Sequence, residues 1–582
     1  MTDRWITDDI PSQRFPYYTR ANADEVGPDP FSPLGWSLGW KQGCIPGVAK
    51  GFVDWGACRW SELREDSPEV FGNWGGYFYN QLSLPRVSGA RTPGGSAEMT
   101  DRAYFGDHPG VPPYVPHPDD DAPDLGERIL KKITWVLTTD GYPEMDEESE
   151  RAREFHNGRP DLSSYSDAEL VQRGRDAAPM IADAWFPYCL CCFASGIVSG
   201  TLTALCEAIG RGDAALALLA AVGNVESADA SFRMWDLSRS IAGSPELTAA
   251  FDAGVDDVLD RLRASGSADA TAWVAGFDEL IRECGHRGPN EWDMRPHSWE
   301  TMPSYPLGMI DRLRHQDDQR SPHAAAEKAA TERVRLTAEL TEATAGDPDV
   351  QAQLLGAIRA AGVWFPLRER GKNTCIREIH EAKLAFMELG RRMTERGVIA
   401  DPQRIFMLLD SEIDAFLENP LSFTATIDER EATFLELHDL VPPYIVFAGE
   451  PIPPISEWPR RGANDKNAIS AAVGEVLQGG AGAPGIVTGR ARVVLDPADP
   501  GDLDPTDIMV VHTTDPSWTP LFLSVGGVVC NVGAVASHAA IVCRELGVPC
   551  AVSVVDATLR IPDGATISVD GTTGSVTVVS LV

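Results

Sequence analysis

Positive charge is scarce in this 582-residue sequence: 50 lysines and arginines stand against 86 aspartates and glutamates, a formal net charge of −36. That balance argues against nucleic acid, and against an anionic membrane surface, as a partner. No run of about twenty apolar residues is expected to span a bilayer, and the start Met1-Thr-Asp-Arg4 lacks a basic-then-apolar leader. The expectation is a cytoplasmic protein. Its eleven cysteines show no paired metal-ligand spacing. Cys189, Cys191 and Cys192 fall in the apolar segment Trp185-Phe-Pro-Tyr-Cys-Leu-Cys-Cys-Phe193, where reduced thiols pack as small core residues. Gly479-Gly-Ala-Gly482 lacks the Lys-Ser or Lys-Thr of a phosphate-binding loop and opens no helix, so it reads as a hinge.

What is present centres on Gly533-Ala-Val-Ala-Ser-His-Ala-Ala-Ile-Val-Cys-Arg-Glu-Leu-Gly547. Ser537 is a good helix N-cap, Ile541, Val542 and Leu546 form an apolar face, and Gly547 with Pro549 is a stop. His538 is therefore expected in the first turn of a short helix, exposed on a strand-to-helix turn. Unpaired N–H groups and the positive end of the helix dipole would favour a phosphoryl dianion on its imidazole. A lone histidine more often caps or packs than reacts, so its surroundings have to decide.

Along the chain, the first 120 residues are rich in Pro, Gly and large rings and show little periodicity, which predicts an irregular segment packed on a helical body. From about 125 to 440 the pattern is helical. Apolar spacing near 3.6, or good helix formers between Gly and Pro stops, predicts helices over 127–137, 194–209, 214–221, 227–241, 245–265, 271–283, 322–344, 350–361 and 374–396. The expected fold is multidomain. A large, mainly α domain covers 1–445, a proline-then-glycine hinge linker 446–481, and a compact α/β domain 482–582; the resemblance given below implies that the first binds the acceptor and the last swivels.

Two further stretches concentrate charge. Gly285-His-Arg-Gly-Pro-Asn-Glu-Trp-Asp293 sets His286, Arg287, Glu291 and Asp293 between breakers, either as an ion-paired loop or as a site. Trp364-Phe-Pro-Leu-Arg-Glu-Arg-Gly-Lys-Asn373 places Arg368 and Lys372 four apart, so one helical turn would put both cations on one face, with Pro366 and Gly371 disturbing the geometry.

The last hundred residues resemble the mobile phosphohistidine domain of the phosphoenolpyruvate-utilising enzyme family. The matches are Thr514-Asp-Pro-Ser-Trp-Thr-Pro-Leu-Phe522, Gly526-Gly-Val528, Ser537-His-Ala-Ala-Ile-Val542, Arg544-Glu-Leu-Gly-Val-Pro549 and Pro562-Asp-Gly-Ala-Thr-Ile-Ser-Val-Asp-Gly571. Ala534 departs from the family's second glycine by a methyl. Tyr18-Thr-Arg-Ala-Asn-Ala-Asp-Glu-Val26 and Pro30-Phe-Ser-Pro-Leu-Gly-Trp-Ser-Leu38 resemble the segment that follows the ATP-binding domain in multidomain phosphotransferases such as rifampicin phosphotransferase.

The resemblance implies that His538 is transiently phosphorylated. It implies that Arg368, Lys372 and Arg287 hold the phosphoryl group, and that His286 or Glu291 takes the acceptor hydroxyl's proton. Glu369, Asp293, Trp364 and Trp292 are expected at the substrate, Glu369 also as a possible base. An ATP-grasp domain is not expected before residue 120, too short a stretch for one, nor an α/β barrel after the mobile domain. The expectation is therefore the acceptor-and-carrier part of a split dikinase similar to phenylphosphate synthase and 4-cresol-phosphorylating enzymes. ATP and Mg²⁺ would sit on a separate ATP-grasp subunit, and a small aromatic hydroxyl compound would be the acceptor. The alternatives are a phosphocarrier or regulatory subunit, or a phosphotransferase acting on an alcohol or antibiotic.

Overall fold

The computed structural model describes residues 3–65, 67–105, 111–461, 469–496, 500–515, 518–535 and 537–581. Ala536, Pro516 and Ser517 of the motifs, and 462–468 of the expected linker, lie outside the described residues. The chain forms two compact units, divided differently from the expected domains. Residues 1–197, 292–296 and 370–466 make the first; residues 198–291, 297–369 and 467–582 make the second. The helical region is thus shared between them, and its middle part goes with the C-terminal α/β region.

The first unit holds a four-stranded antiparallel sheet of β1 (Tyr17–Thr19), β2 (Phe71–Trp74), β3 (Tyr77–Gln81) and β4 (Ile445–Phe447), in the order β2-β3-β1-β4. Three of these strands come from the 120 residues expected to be irregular. Strands of three to five residues are too short to display alternation, and their aromatic rings are buried on both faces. A π-helix, Gly35–Cys44, leads into a helix, Ile45–Trp55. Trp40 on the π-helix packs against Phe31, Phe71 and Phe78, with ring centres 5.1, 5.5 and 4.6 Å away. The proline-rich start of the expected linker belongs to this unit. β4 pairs with β1, Leu440 bridges to Arg460, and Trp458 is buried.

Helix Asp167–Ala208 contains Pro179 and Pro187. Contrary to the expectation, one window of it is long and apolar enough by composition to cross a bilayer, and half of that window is buried in the protein. Within the first unit its rings pack on protein: Trp185 lies 5.1 Å from Trp292 and Phe193 lies 5.1 Å from Phe52. A soluble core helix meets the same compositional test.

The helices expected over 350–361 and 374–396 are one helix, Pro348–Glu395. Pro366 is accommodated inside it, against the usual cost of a missing N–H, by burial of its neighbours Trp364 and Phe365. In the first unit this helix carries buried charge. Glu381 receives Arg159 at 2.9 Å and Arg173 at 2.6 Å and lies 2.8 Å from His156 Nδ1. Glu378 is fully buried, neither oxygen has a hydrogen-bond partner among the described residues, and burial pushes its carboxyl well above the ordinary range.

The folded state therefore keeps a proton that the unfolded state loses above its ordinary pKa. Stability is fully present at low pH and falls as pH rises toward the folded value. Glu378→Gln is expected to abolish that slope, which reaches about 1.4 kcal/mol per pH unit. In urea unfolding of the full chain the variant should gain on the parent between pH 5 and 8, while the two coincide near pH 5.

The second unit joins helices Glu226–Ala242, Pro245–Asp252, Val258–Ser265, Ala268–Cys284, Ser304–Leu313 and Pro322–Ala343 to an eight-stranded sheet. The single helix expected over 245–265 is two, parted at Gly254 with φ +103°. The sheet comprises β5 (Val476–Gln478), β6 (Gly480–Ala483), β7 (Ile486–Val493), β8 (Ile508–Val511), β9 (Gly527–Cys530), β10 (Cys550–Val552), β11 (Thr566–Asp570) and β12 (Ser575–Ser580). Its order is β5-β12-β11-β7-β8-β9-β10-β6, with β7 through β10 parallel and the remaining pairs antiparallel.

The parallel part is covered on both faces, as its continuous apolar strands require. Met509, Val511, Val528 and Val552 share a core with Trp235, Trp273, Phe277, Trp299 and Leu307 of the helices. Alternate residues Ile508, Val510 and Val529 pack on the other side with Ile567, Val569, Val576 and Val578. Each such side chain contributes about 1.5–3 kcal/mol on burial, so apolar contact holds the helices against the sheet in this arrangement.

Of the glycines at 479–482, expected as a hinge, Gly480 and Gly482 are instead strand, and Gly479 joins β5 to β6. β6 pairs with β10, and a Cβ on Gly479 or Gly482 would come within 2.4 Å of the Val552 carbonyl oxygen or 2.6 Å of that of Cys550. Close backbone approach, rather than looseness, accounts for them.

Candidate functional site

β9 is followed by helix His538–Leu546 and then β10; the connection needs Gly533, whose φ is +147° and whose Cβ would press on Ser537 and Val552 at 3.2 Å. Ser537 caps the helix, its hydroxyl accepting from the Ala540 N–H at 3.3 Å, and Gly547 ends it at φ +67°. His538 is the first helical residue, as its sequence setting predicts. It is not exposed: only 3% of its surface is accessible.

The ring is covered by its own domain and by the helical part of the same unit. Nε2 lies 3.0 Å from the Thr519 hydroxyl, and Nδ1 lies 3.9 Å from Glu369 Oε2. Thr519 and Glu369 are themselves buried. Glu369 is held by a close ion pair with Arg368, whose side chain is 18% exposed. Thr519 gave no separate signal in the sequence; only its place before Pro520, at the start of helix Thr519–Phe522, marks it as a fixed position. Thr519→Val removes the hydroxyl while keeping the shape. It is expected to destabilise the full chain by about 1 kcal/mol, the worth of one buried hydrogen bond, as read by urea unfolding.

The loop after helix Ala268–Cys284 closes on itself through Trp299 N–H to Arg287 O at 2.8 Å and Glu300 N–H to Gly285 O at 2.9 Å. Gly288 permits this, since a Cβ there would meet the His297 carbonyl oxygen at 2.5 Å. Arg287 pairs with Glu291 at 3.2 Å, both all but inaccessible, and His286 is equally buried. Asn290, at φ +47°, donates its N–H to Asp515 Oδ2 at 3.3 Å and so ties this loop to the Thr514–Phe522 motif.

Three of the expected substrate residues are placed differently. Asp293 is in the first unit, where it accepts from the Ser32 N–H at 3.2 Å, the Ser32 hydroxyl at 2.7 Å and the Met294 N–H at 2.9 Å. It anchors the start of the π-helix rather than facing a ligand, and burial raises its carboxyl. Trp292 joins the aromatic cluster of that unit, its carbonyl accepting from Trp40 Nε1 at 3.1 Å. Trp364 is fully buried in the second unit, one turn before Arg368. Lys372 is half-buried, one turn beyond Arg368 on the same unbroken helix, so the two cations do share a helical face.

Residues 503–574, which include His538, match the family described as PEP-utilising enzyme, mobile domain. That part of the chain carries the PEP-utilising enzyme mobile domain. Residues 188–369 match the rifampicin phosphotransferase fourth domain, a match that ends at Glu369, where the second unit hands over to the first. The chain is 30% identical over 383 residues to a rifampicin phosphotransferase of Streptomyces sviceus, covering 64% of this chain and 42% of that one. It is 28% identical over 407 residues to the prodigiosin synthesizing transferase PigC of Serratia marcescens, covering 68% and 44%. An uncharacterized protein of Mycobacterium tuberculosis, Rv2047c, is 33% identical over 216 residues, covering 37% and 23%. The chain thus spans less than half the length of these curated relatives. In the second unit, its mobile domain rests against the part similar to the rifampicin phosphotransferase fourth domain, with the histidine between Thr519 of the one and Glu369 of the other.

Proposed function

We propose that this chain is the acceptor-and-carrier part of an ATP-dependent, dikinase-type phosphotransferase. His538 takes the β-phosphoryl of ATP on a separate ATP-grasp subunit and passes it to the hydroxyl of a small aromatic acceptor, a phenol or 4-alkylphenol such as 4-cresol. ATP ends as AMP, with the γ-phosphoryl leaving to water as phosphate, and the acceptor leaves as an aryl phosphate. ATP and Mg²⁺ belong to the partner subunit.

The observation that carries the reading is the imidazole at the first residue of a capped helix, with one nitrogen on Thr519 and the other turned to Glu369. The helix N-terminus favours the phosphoryl dianion, and Thr519 fixes the ring. Glu369, beside Nδ1, stabilises the imidazolium form from which a phosphoryl group leaves readily. Arg368, Lys372 and Arg287 balance the charge that spreads over the transferring oxygens. Glu291 or His286 accepts the proton of the attacking hydroxyl.

A carrier this well covered has to leave its position to meet ATP. The relay keeps ATP and acceptor apart and excludes water from the transfer. The aromatic content of the first unit, where Trp185, Tyr188 and Trp292 lie within 4.8–6.2 Å of one another, supports a flat apolar acceptor.

A second reading, an antibiotic or other alcohol as acceptor, is favoured by the match to the rifampicin phosphotransferase fourth domain. The test is to mix the chain with an ATP-grasp protein and β-labelled ATP and offer phenol, 4-cresol and rifampicin in parallel. Label should pass through an acid-labile, alkali-stable protein species to phenol or 4-cresol. Transfer to rifampicin alone would decide for the second reading, and label that stays on protein with every acceptor would mark a phosphocarrier.

A further inference from the structure

Within the carrier helix, His538 and Glu545 are seven residues apart, two full turns, and so lie on one face. That face meets the helical part of the second unit at both ends. His538 faces Glu369, and Glu545, 6% exposed, accepts from the Val222 N–H at 3.2 Å through Oε1. The Ala221 amide also faces the Glu545 carboxyl. These amides belong to a loop with Ala221, Gly223 and Asn224 all at positive φ, between +47° and +80°. Alanine adopts that conformation only when its surroundings impose it, and such loops turn successive N–H groups toward one anion.

The charged groups around Glu545 are Arg544 on its own helix and Arg333 from helix Pro322–Ala343. Both are committed elsewhere. Arg544 Nε donates to Gly482 O at 2.7 Å, and Arg333 donates to Leu218 O at 2.9 Å and Ile358 O at 3.1 Å. Neither forms an ion pair with Glu545 within 4 Å among the described residues.

We propose that Glu545 is a positioning residue that keys the carrier helix onto the Ala221–Val222 amides, fixing the register in which His538 meets Glu369. The inference rests on the carrier role of His538 and adds the contact that defines its acceptor-side station. It has a consequence for protons. Burial in the seated position raises the Glu545 carboxyl to about 7, with the two amides and two arginines only partly opposing it. Once the helix leaves, the carboxyl is in water and returns to its ordinary value. Seating therefore takes up a proton: it is favoured below about pH 7 and weakens as pH rises, by up to about tenfold per pH unit until the seated group has ionised.

The test needs no catalysis. Two dyes placed on the exposed positions Lys328 and Thr488 of the full chain report the separation of carrier and helical part. In the parent the separated population should grow between pH 6 and 8.5. Glu545→Gln keeps the acceptor oxygen for Val222 but never ionises, so its seated population should stay constant over that range. Identical pH profiles for parent and variant would overturn the proposal. Amide exchange at Ala221 and Val222 in the unmutated chain gives a second reading: protection, corrected for intrinsic rates, should fall as pH rises, and constant protection would also overturn it. Failure of the phosphotransfer reading looks different, since His538 would then take no label while the pH-dependent separation persists.

Discussion

His538→Ala is expected to hold no phosphate. With an ATP-grasp partner and β-labelled ATP, the parent should carry acid-labile, alkali-stable label, the variant none, and acceptor phosphate should fall by at least about 10³-fold, the scale on which losing a covalent nucleophile acts. The loss would be chemical rather than structural. Ser537 caps the helix and Gly547 ends it without help from the imidazole, and alanine is the best helix former available. Removing a buried ring with one hydrogen bond should cost about 1–3 kcal/mol, which thermal unfolding will show against a chain of this size. Equal labelling of parent and variant would sink the carrier reading outright.

The second large effect separates the two half-reactions. Arg368→Ala should leave ATP-dependent labelling of His538 within about twofold of the parent while slowing transfer to the acceptor by about 10²–10³, the range for removing one charged stabiliser from a dry site. Arg368 pairs with Glu369, and Glu369 lies 3.9 Å from the ring, so its effect belongs to the station seen here and not to the one that meets ATP. Removing the arginine also takes a charge partner from a buried carboxylate, which by itself perturbs the site. The double variant Arg368→Ala with Glu369→Gln removes that complication and should keep the same split. Arg368→Lys should recover only part of the rate, because a point charge replaces a planar fork. An equal loss in both half-reactions would count against the assignment.

The C-terminal α/β domain was legible because its signals are local. Ser537, His538 and Gly547 fix a helix through capping and stop chemistry, and the β-branched runs at 491–495, 508–511 and 527–530 alternate between two buried faces. The long helices were legible for the same reason. What failed depended on distant partners. Pro366 and Gly371 argue for a break in helix Pro348–Glu395, and it is packing around Trp364 and Tyr188 that overrides them. Gly479–Gly482 has a hinge's composition, and only the carbonyls of Cys550 and Val552 explain it as strand. Asp293 stood among charged neighbours in sequence, yet its partner Ser32 is 261 positions away. Thr519 and Glu545 went unassigned because neither contacts its functional neighbour until the chain is folded.

All nine residues of the carrier helix are buried. A helix enclosed on every side has no spare surface by which a second protein could recognise it in place. In the proposed relay, an ATP-binding partner would therefore compete with the helical part of this chain for the same side chains, and the two stations would exclude each other. Each residue from His538 to Leu546 would then answer to two different receptors, and a substitution that improves the fit to one would weaken the other.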